Sequence, residues 1–305
     1  MKVGFIGLGT MGGPMALNVR KAGHDLLVND LRRDAAKPHL AAGARWGDVH
    51  EIASWSDVVL TSLPGPKEAE AIAGEMLDSL RKDAAWFDLS TNSPTVARRI
   101  HAKYAEKGLQ MLDAPVSGGP AGAKSGKLAL LVGGDEATFD RFKPVLQSIG
   151  DQVIYIGAIG AGSVAKLVHN CAGYMIQTAL AEVFTMGVKG GVDPLALWSA
   201  VRQCSLGRQR TFDRLGKQFL QGTFDPPDFA LNLAHKDVTL ATELGRELGV
   251  PMRVAALTHA EMTEALGRGW GHRDSRVPML LQEERAGVHI EVAAEKIQAV
   301  MKKDG

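Results

Sequence analysis

The stretch KVGFIGLGTMGGPMA, residues 2–16, decides the fold of the first part of this chain. A short apolar run leads into glycines 7, 9 and 12, spaced G-x-G-x-x-G, and a helical pattern follows at once. In such a strand–loop–helix unit the first glycine makes a tight turn. The second lets a pyrophosphate approach the backbone, and the third lets the helix pack closely on the strand. Because the helix N-terminus offers free N–H groups to phosphates, the stretch predicts a dinucleotide-binding site.

An acidic residue follows about 20 positions later, where this kind of site needs one. It is Asp30, in the stretch LLVNDLRR, residues 26–33, at the end of the second predicted strand. A carboxylate there accepts hydrogen bonds from the adenosine ribose hydroxyls and repels a 2′-phosphate, which favours NAD over NADP. NADP stays open as an alternative, because an inward turn of Arg32 and Arg33 would bring two guanidinium groups to such a phosphate.

Short apolar runs and helical patterns alternate along the first half of the chain. Strands are predicted at KVGFIG, DLLVND, DVVLTSLPG, AAWFDLST, LQMLDAPVSG, KLALLVGG and DQVIYIG, and helices at 11–22, 66–80 and 94–107. This alternation predicts βαβ units and a mostly parallel sheet, that is, an α/β Rossmann domain over residues 1–162. The patterns that follow are all helical, so an all-α domain for substrate binding and dimerisation is expected over residues 163–305.

Composition excludes several other classes of protein. The 305 residues carry a formal net charge of +1, which gives no reason to expect a nucleic acid or a membrane surface as partner. The two cysteines, Cys171 and Cys204, are too few for a disulfide framework or a four-ligand zinc site, and no metal is expected. The first strand begins almost at residue 1, so no leader peptide and a cytoplasmic location are expected.

The segment DAPVSGG, residues 113–119, follows a predicted strand with three small residues in a row. Ser117, Gly118 and Gly119 leave their backbone N–H groups accessible, and such a concavity suits a carboxylate. A plain surface turn would use the same residues, so the segment alone leaves both interpretations open.

The stretch GAIGAGSVAKLVHN, residues 157–170, places a lysine and an asparagine after a glycine hinge. Lys166 and Asn170 are four residues apart, so on a helix they project from the same face. A lysine with a lowered pKa can take a hydroxyl proton in alcohol oxidation and return it in carbonyl reduction. Lys166 is therefore the candidate acid and base, and Asn170 the candidate hydrogen-bond donor to the substrate hydroxyl or carboxylate.

Six motifs occur in one order along the chain: G-x-G-x-x-G, LPG at 63–65, STNSP at 90–94, DAPVSGG at 113–119, GAGSVAKLVHN at 160–170 and LNLAHKD at 231–237. Over about residues 1–290 the chain resembles the β-hydroxyacid dehydrogenase family. The resemblance implies the interconversion of a small β-hydroxy acid with its semialdehyde or 3-oxo acid, in a cleft between two domains. It implies substrate contacts at Ser117, Gly118 and Gly119, and a catalytic pair formed by Lys166 and the Asn170 beside it. It implies cofactor contacts at Gly7, Leu8, Gly9, Thr10, Met11, Gly12, Asp30, Leu63, Pro64, Thr91 and Lys236.

Two positions depart from the usual family pattern, Asn92 and His169, and both are candidates for tuning the substrate. An imine reductase of the same architecture is one alternative, although Lys166 counts against it. A non-catalytic nucleotide-sensing or scaffolding protein is another, which needs neither Lys166 nor Asn170. The apolar surface of the helix after Ser163, together with the family pattern, predicts a homodimer or homotetramer.

Overall fold

The computed structural model describes residues 1–208, 215–216, 218–247, 249–287 and 289–303. The chain forms two compact units, Met1–Ala172 and Gly173–Gly305. The boundary expected after residue 162 stays a prediction.

The first unit is built on one mixed sheet with nine strands among the described residues. The strands are β1 Lys2–Ile6, β2 Asp25–Asn29, β3 Arg45–Trp46, β4 Val58–Thr61, β5 Ala85–Asp88, β6 Gln110–Asp113, β7 Val116–Ser117, β8 Leu128–Gly133 and β9 Gly150–Gly157. Strands β3-β2-β1-β4-β5-β6 lie side by side and pair in parallel, and β9 pairs in parallel with β8. Only β8 runs antiparallel to its neighbours β6 and β7. The predicted mostly parallel sheet is therefore confirmed.

The strand order creates the place for a ligand. The chain proceeds outward from β1 through β2 to β3 and then returns to β4 on the other side of β1. The carboxyl ends of β1 and β4 therefore meet at a topological switch point, where open α/β sheets bind their ligands.

Helices connect the strands of this unit. They are α1 Gly12–Lys21, α2 Lys37–Ala41, α3 Val49–Trp55, α4 Pro66–Met76, α5 Pro94–Glu106, α6 Gly119–Ser125 and α7 Glu136–Leu146, and α8 Ala161–Lys189 continues past the end of the unit. The helices predicted at 11–22 and 94–107 agree with α1 and α5 to within one residue at each end. The helix predicted at 66–80 is shorter, because α4 ends at Met76. Helix α6 begins inside the DAPVSGG segment, where sequence analysis predicted only a turn.

Hydrophobic side chains fill both faces of the sheet, because alternate residues of a buried strand point to opposite sides. In β5, Phe87 belongs to one buried cluster and lies edge-on to Phe142, with ring centroids 6.1 Å apart. Its neighbour Trp86 belongs to the opposite cluster and packs on Tyr104, with centroids 5.3 Å apart. Because both faces of the sheet are covered, the central strands appear in the sequence as continuous apolar runs.

The described residues of the second unit form helices and no strand. After α8 come α9 Pro194–Arg202, α10 Ser205–Arg208, α11 Leu231–Glu247, α12 Arg253–Gly267, α13 Met279–Ala286 and α14 Ala294–Lys303. A buried cluster here includes Phe219, Phe224 and Leu281. The predicted all-α character of the second half is confirmed. In the part of the chain that the structure describes, no helix combines the length and hydrophobicity needed to cross a membrane.

Candidate active site

The glycine loop between β1 and α1 has the shape that a dinucleotide requires. Gly7 adopts φ +94°, and a Cβ there would lie 2.3 Å from the carbonyl oxygen of Ser62. A Cβ at Gly12 would lie 1.9 Å from the carbonyl oxygen of Gly7. These two glycines are thus required by the fold. A Cβ at Gly9, by contrast, would meet nothing within 4 Å, so this glycine leaves its space to a ligand.

The start of α1 is free to receive that ligand. No side chain caps this helix, and its first turn contains no acidic residue. The positive end of the helix dipole therefore faces this loop and favours phosphate oxygens there. Within the first turn, the N–H groups of Gly13 and Met15 already donate to the carbonyl oxygens of Gly9 and Met11, at 2.9 and 3.3 Å. The loop fits a dinucleotide cofactor.

Asp30 lies at the end of β2, beside the glycine loop. Its carboxylate accepts hydrogen bonds from the backbone N–H of Leu8 at 2.7 Å and of Arg32 at 2.8 Å. The Nε atom of Arg32 is 4.0 Å from Asp30 Oδ1, and the guanidinium group of Arg33 lies 5.4 Å from the ring centroid of Trp46. The acidic group predicted to face the ribose therefore also fixes the loop that holds the pyrophosphate.

A buried aspartate that sequence analysis missed holds the next two loops together. Asp88, at the end of β5, accepts hydrogen bonds from the Thr61 hydroxyl at 3.0 Å and the Asn92 amide at 3.0 Å. Burial raises the pKa of this carboxyl, while the hydrogen bonds from Ser90, Asn92 and Thr61 act in the opposite direction. The Ser90 hydroxyl accepts in turn from the backbone N–H of Leu63 at 2.9 Å. The departure from the family pattern at Asn92 thus supplies a partner for a buried carboxylate.

One cavity of about 510 Å³ in the first unit unites many of the predicted residues. From the predicted cofactor set it is lined by Met11, Leu63, Pro64 and Thr91, and from the predicted substrate and catalytic sets by Ser117, Gly118, Gly119, Lys166 and Asn170. His169 also lines it. Segments far apart in the sequence therefore converge on one concave site.

The wall made by residues 117–119 exposes backbone rather than side chains. Ser117 ends the short strand β7, Gly118 adopts φ +131° just before α6, and Gly119, the first residue of α6, adopts φ +61°. A Cβ at Gly119 would meet nothing within 4 Å. These three residues line the cavity, and a turn of small residues with positive φ is a backbone arrangement that suits a carboxylate.

Lys166 lies in the second turn of α8 and is only 8% exposed. Desolvation by burial lowers the pKa of its amine below the usual 10.5. Among the described residues, no acidic side chain forms an ion pair with Lys166 to oppose that effect. Asn170 lies one turn further along the helix, and its Oδ1 is 3.1 Å from Nδ1 of His169. The site therefore combines an amine that can lose its proton with an amide held by a neighbouring imidazole.

A second buried aspartate that sequence analysis missed lies at the start of this helix. Asp113 ends β6, and its two carboxylate oxygens accept from the backbone N–H groups of Gly160 and Ser163 at 2.7 and 2.6 Å. In the sequence, Asp113 appears as the first residue of the DAPVSGG motif at the end of an apolar strand, and the motif does not indicate this contact.

Two other predictions are not tested by the cavity. Lys236 is part of α11, but its side chain lies outside the described residues. No cluster of metal-binding side chains occurs among the residues that the structure describes, and the absence of a metal stays a prediction.

Comparison with known proteins identifies the family. Residues 2–157 match the NAD binding domain of 6-phosphogluconate dehydrogenase, and residues 160–281 match the NAD-binding region of NADP-dependent 3-hydroxyisobutyrate dehydrogenase. The chain is 33% identical over 294 residues to 2-(hydroxymethyl)glutarate dehydrogenase of Eubacterium barkeri, covering 95% of this chain and 97% of that relative. The chain belongs to the β-hydroxyacid dehydrogenase family.

Two solved structures resemble this β-hydroxyacid dehydrogenase along most of the chain. The 3-hydroxyisobutyrate dehydrogenase of Mycobacterium tuberculosis, described with L-serine, is 30% identical, with a TM-score of 0.65 over 92% of this chain and 99% of that one. An imine reductase variant from Myxococcus stipitatus, in complex with NAD+, has a TM-score of 0.78 over 91% of this chain and 98% of that one. Since it is only 19% identical, it shows the shared fold alone.

The family assignment confirms the expected enzyme class. This β-hydroxyacid dehydrogenase is an NAD(P)-dependent oxidoreductase of 3-hydroxy acids, as its family and its 30–38% identical relatives show. The roles predicted for single residues remain predictions.

Proposed function

We propose that this enzyme reversibly oxidises a small β-hydroxy acid of the form HOCH2–CHR–COO⁻ to the corresponding semialdehyde, with Lys166 as acid and base. One observation carries the proposal. The buried amine of Lys166 lines the same cavity as the Ser117–Gly119 turn and the loops at Leu63 and Thr91. An anion-binding turn, a titratable amine and the cofactor loops are the parts that this reaction requires.

Lys166 moves the proton. In oxidation its neutral amine accepts the proton of the substrate hydroxyl, and in reduction its ammonium form returns that proton to the carbonyl oxygen. Bound NAD(P) supplies the acceptor or donor of the hydride. A neutral amine is present near physiological pH only if the pKa of the lysine is depressed, and burial acts in this direction.

The remaining residues hold the substrate. The backbone N–H groups of Ser117, Gly118 and Gly119 bind the carboxylate, and the side-chain amide of Asn170 donates to the hydroxyl or to the carboxylate. His169 supports this orientation of Asn170, because a protonated Nδ1 donates to Oδ1 and leaves the NH2 group for the substrate.

The relatives support the substrate form. The compounds named for them, 2-(hydroxymethyl)glutarate, 3-hydroxyisobutyrate and L-serine, share a hydroxymethyl group on the carbon that bears the carboxylate. They differ in R, and we therefore assign the common part to the Ser117–Gly119 turn and Lys166. For the cofactor we propose NAD, because the Asp30 carboxylate repels a 2′-phosphate.

Substrate and residue roles are tested by one set of assays. Formation of NADH is followed at 340 nm with 3-hydroxyisobutyrate, L-serine, 2-(hydroxymethyl)glutarate and glycerate. Turnover with NAD and at least one of the first three is expected. Absence of turnover with all four compounds contradicts the proposed substrate form.

Lys166→Ala is expected to lower kcat by about 10³-fold while NADH still binds. Lys166→Arg is expected to be equally inactive in oxidation, because a guanidinium keeps the charge but cannot take a proton. Lys189→Ala, an exposed lysine at the far end of the same helix, is the matched control and should leave kcat unchanged. In the wild-type enzyme, kcat for oxidation should rise with pH with a midpoint below pH 10.5, since the base form of Lys166 carries the reaction and burial lowers its pKa. If the Lys166→Ala variant has the kcat of the wild type, Lys166 is not the acid and base of the reaction.

We further propose a homodimer or homotetramer in the cytoplasm. Large apolar side chains on α8 are exposed in the single chain, among them Val164, Val168, Met175 and Leu180. Exposed apolar surface of this kind usually marks an interface. Light scattering is expected to give two or four times the chain mass of 32.5 kDa, and the mass of one chain contradicts the proposal. For the location, the cytosolic fraction is expected to contain the activity.

A further inference from the structure

Asp113 occupies an unusual position for a carboxylate. It ends β6, lies beside Asp88 of β5 in the sheet register, and is 1% exposed. A buried carboxylate is costly unless it is hydrogen-bonded. Asp113 meets this requirement with two backbone N–H groups, those of Gly160 and Ser163, one on each oxygen. Hydrogen bonds to an ionised acceptor are shorter and stronger than neutral ones.

Two glycines make room for this carboxylate and for the start of α8. A Cβ at Gly133 would lie 2.6 Å from Asp113 Oδ1 and 2.9 Å from the backbone nitrogen of Gly162. A Cβ at Gly162 would lie 2.1 Å from the carbonyl oxygen of Leu131. Strand β8 and the first turn of α8 therefore touch through bare backbone, and Asp113 fills the remaining space between them.

This contact joins two walls of the cavity. Asp113 is four residues before Ser117, which begins the turn proposed to bind the substrate carboxylate. Its partner Ser163 is three residues before Lys166 on α8. A helix is rigid over one turn, so the position of the Ser163 backbone sets the position of the Lys166 backbone.

We propose that Asp113 is a positioning residue, whose carboxylate fixes the Lys166 amine relative to the Ser117–Gly119 turn. This role of Asp113 rests on the proposed function of Lys166 as acid and base. Proton transfer requires heavy atoms within about 2.6–3.2 Å, and a displacement of about 1 Å can cost about 100-fold in rate. A shift of α8 by a fraction of a turn is therefore enough to impair catalysis without unfolding the protein.

The decisive variant is Asp113→Asn. It keeps the size of the side chain, yet whichever way its amide turns, the NH2 group faces a backbone N–H group. We expect kcat to fall by about 30- to 100-fold. The dissociation constant of NADH should stay within about twofold, because the glycine loop that binds it is not altered. The pH midpoint of kcat should rise, because a displaced Lys166 is more solvated.

Asp135→Asn is the matched control. Asp135 also caps a helix that follows a strand of this sheet, accepting from the Thr138 N–H at 2.7 Å, but its helix α7 carries no cavity residue. Its kcat and pH midpoint should equal those of the wild type even if its melting temperature falls. Equal kinetic effects in both variants, or unchanged kcat and pH midpoint in Asp113→Asn, overturn the proposal.

A double variant separates positioning through Lys166 from general damage. In a Lys166→Ala background, Asp113→Asn should not lower the residual rate further, because the group it positions is gone. A further drop of 30-fold or more overturns the proposal. If Lys166→Ala alone has wild-type kcat, the proposed function has failed, whatever Asp113→Asn does.

If Asp113→Asn yields no folded protein, Gly133→Ala replaces it. The added methyl group displaces the carboxylate without removing its charge, since it lies 2.6 Å from Oδ1. A folded Gly133→Ala enzyme that binds NADH and has unchanged kcat overturns the proposal.

Discussion

Two glycine-rich turns, residues 7–12 and residues 157–162, each lead from a strand into a helix, and they have opposite uses. The first leaves the start of α1 without a side-chain cap or an acidic residue in its first turn, since the Asp30 carboxylate binds the earlier N–H of Leu8. At the second, the N–H groups of Gly160 and Ser163 are taken up by the carboxylate of Asp113. A helix start that is left open can bind an external anion, whereas one that holds its own anion becomes a fixed support.

The comparison also explains where charge is placed. The open turn suits the pyrophosphate of a cofactor that binds and dissociates. The closed turn carries Lys166, whose amine must keep one position through the reaction. Similar glycine content therefore says little about use. The decisive difference is where the carboxylate from another strand binds: Asp113 takes an N–H group of the helix itself, at Ser163, whereas Asp30 binds the Leu8 N–H, four residues before α1 begins.

The largest effect is expected when the open turn loses its shape. Gly12→Ala puts a methyl group 1.9 Å from the carbonyl oxygen of Gly7. We expect a loss of about 3 kcal/mol in the free energy of unfolding and no measurable NADH binding. Gly74→Ala is the control, because a Cβ at this position of α4 meets nothing within 4 Å, and a helical alanine should stabilise by up to about 1 kcal/mol. Urea denaturation measures the free energy of unfolding of both variants. Equal stability of the two variants contradicts the prediction.

A smaller effect is expected when a carboxylate side chain is introduced into the open turn. The space beside Gly9 accepts a side chain, so Gly9→Asp and Gly9→Asn should both fold with nearly the wild-type melting temperature. NADH should bind about tenfold more weakly to Gly9→Asp than to Gly9→Asn, because only the carboxylate repels the phosphates. Fluorescence titration measures the difference, which should shrink at high salt. Identical affinities would mean that the charge at this helix start is unimportant.

The smallest effect concerns the choice of cofactor. Asp30→Ala removes the repulsion of a 2′-phosphate, and we expect the ratio of kcat/KM for NAD to that for NADP to fall by about tenfold. Asp34→Ala is the control, because Asp34 is an exposed neighbour paired with Lys37 at 2.9 Å. An unchanged ratio in Asp30→Ala removes the argument for NAD.

Much of the site was predictable because its signals are local. The glycine spacing, the acidic residue after the second strand, and the four-residue spacing of Lys166 and Asn170 each depend on a short segment. The cavity contains both members of that pair. Periodicity likewise predicted the parallel sheet and the helical second half.

Asp88 and Asp113 could not be predicted in the same way. The partners of Asp113 are 47 and 50 residues away in sequence, and Thr61, a partner of Asp88, is 27 residues away. Asp88 appears in the sequence as an acidic residue at the end of an apolar strand, and Asp113 as the first residue of the DAPVSGG motif. Nothing nearby indicates whether such a group faces solvent, a ligand or a backbone amide.

The sequence by itself determined the mostly parallel sheet, the helical second half, the glycine loop and the pair of polar residues on one helix face, because backbone sterics and the helical period act over a few residues. Only the tertiary structure decided which anion each helix start would hold, and with it how the two cavity walls are joined. The physical reason is that a buried carboxylate must take its partners from whatever segment the sheet brings within hydrogen-bonding distance, and chain position does not encode that distance.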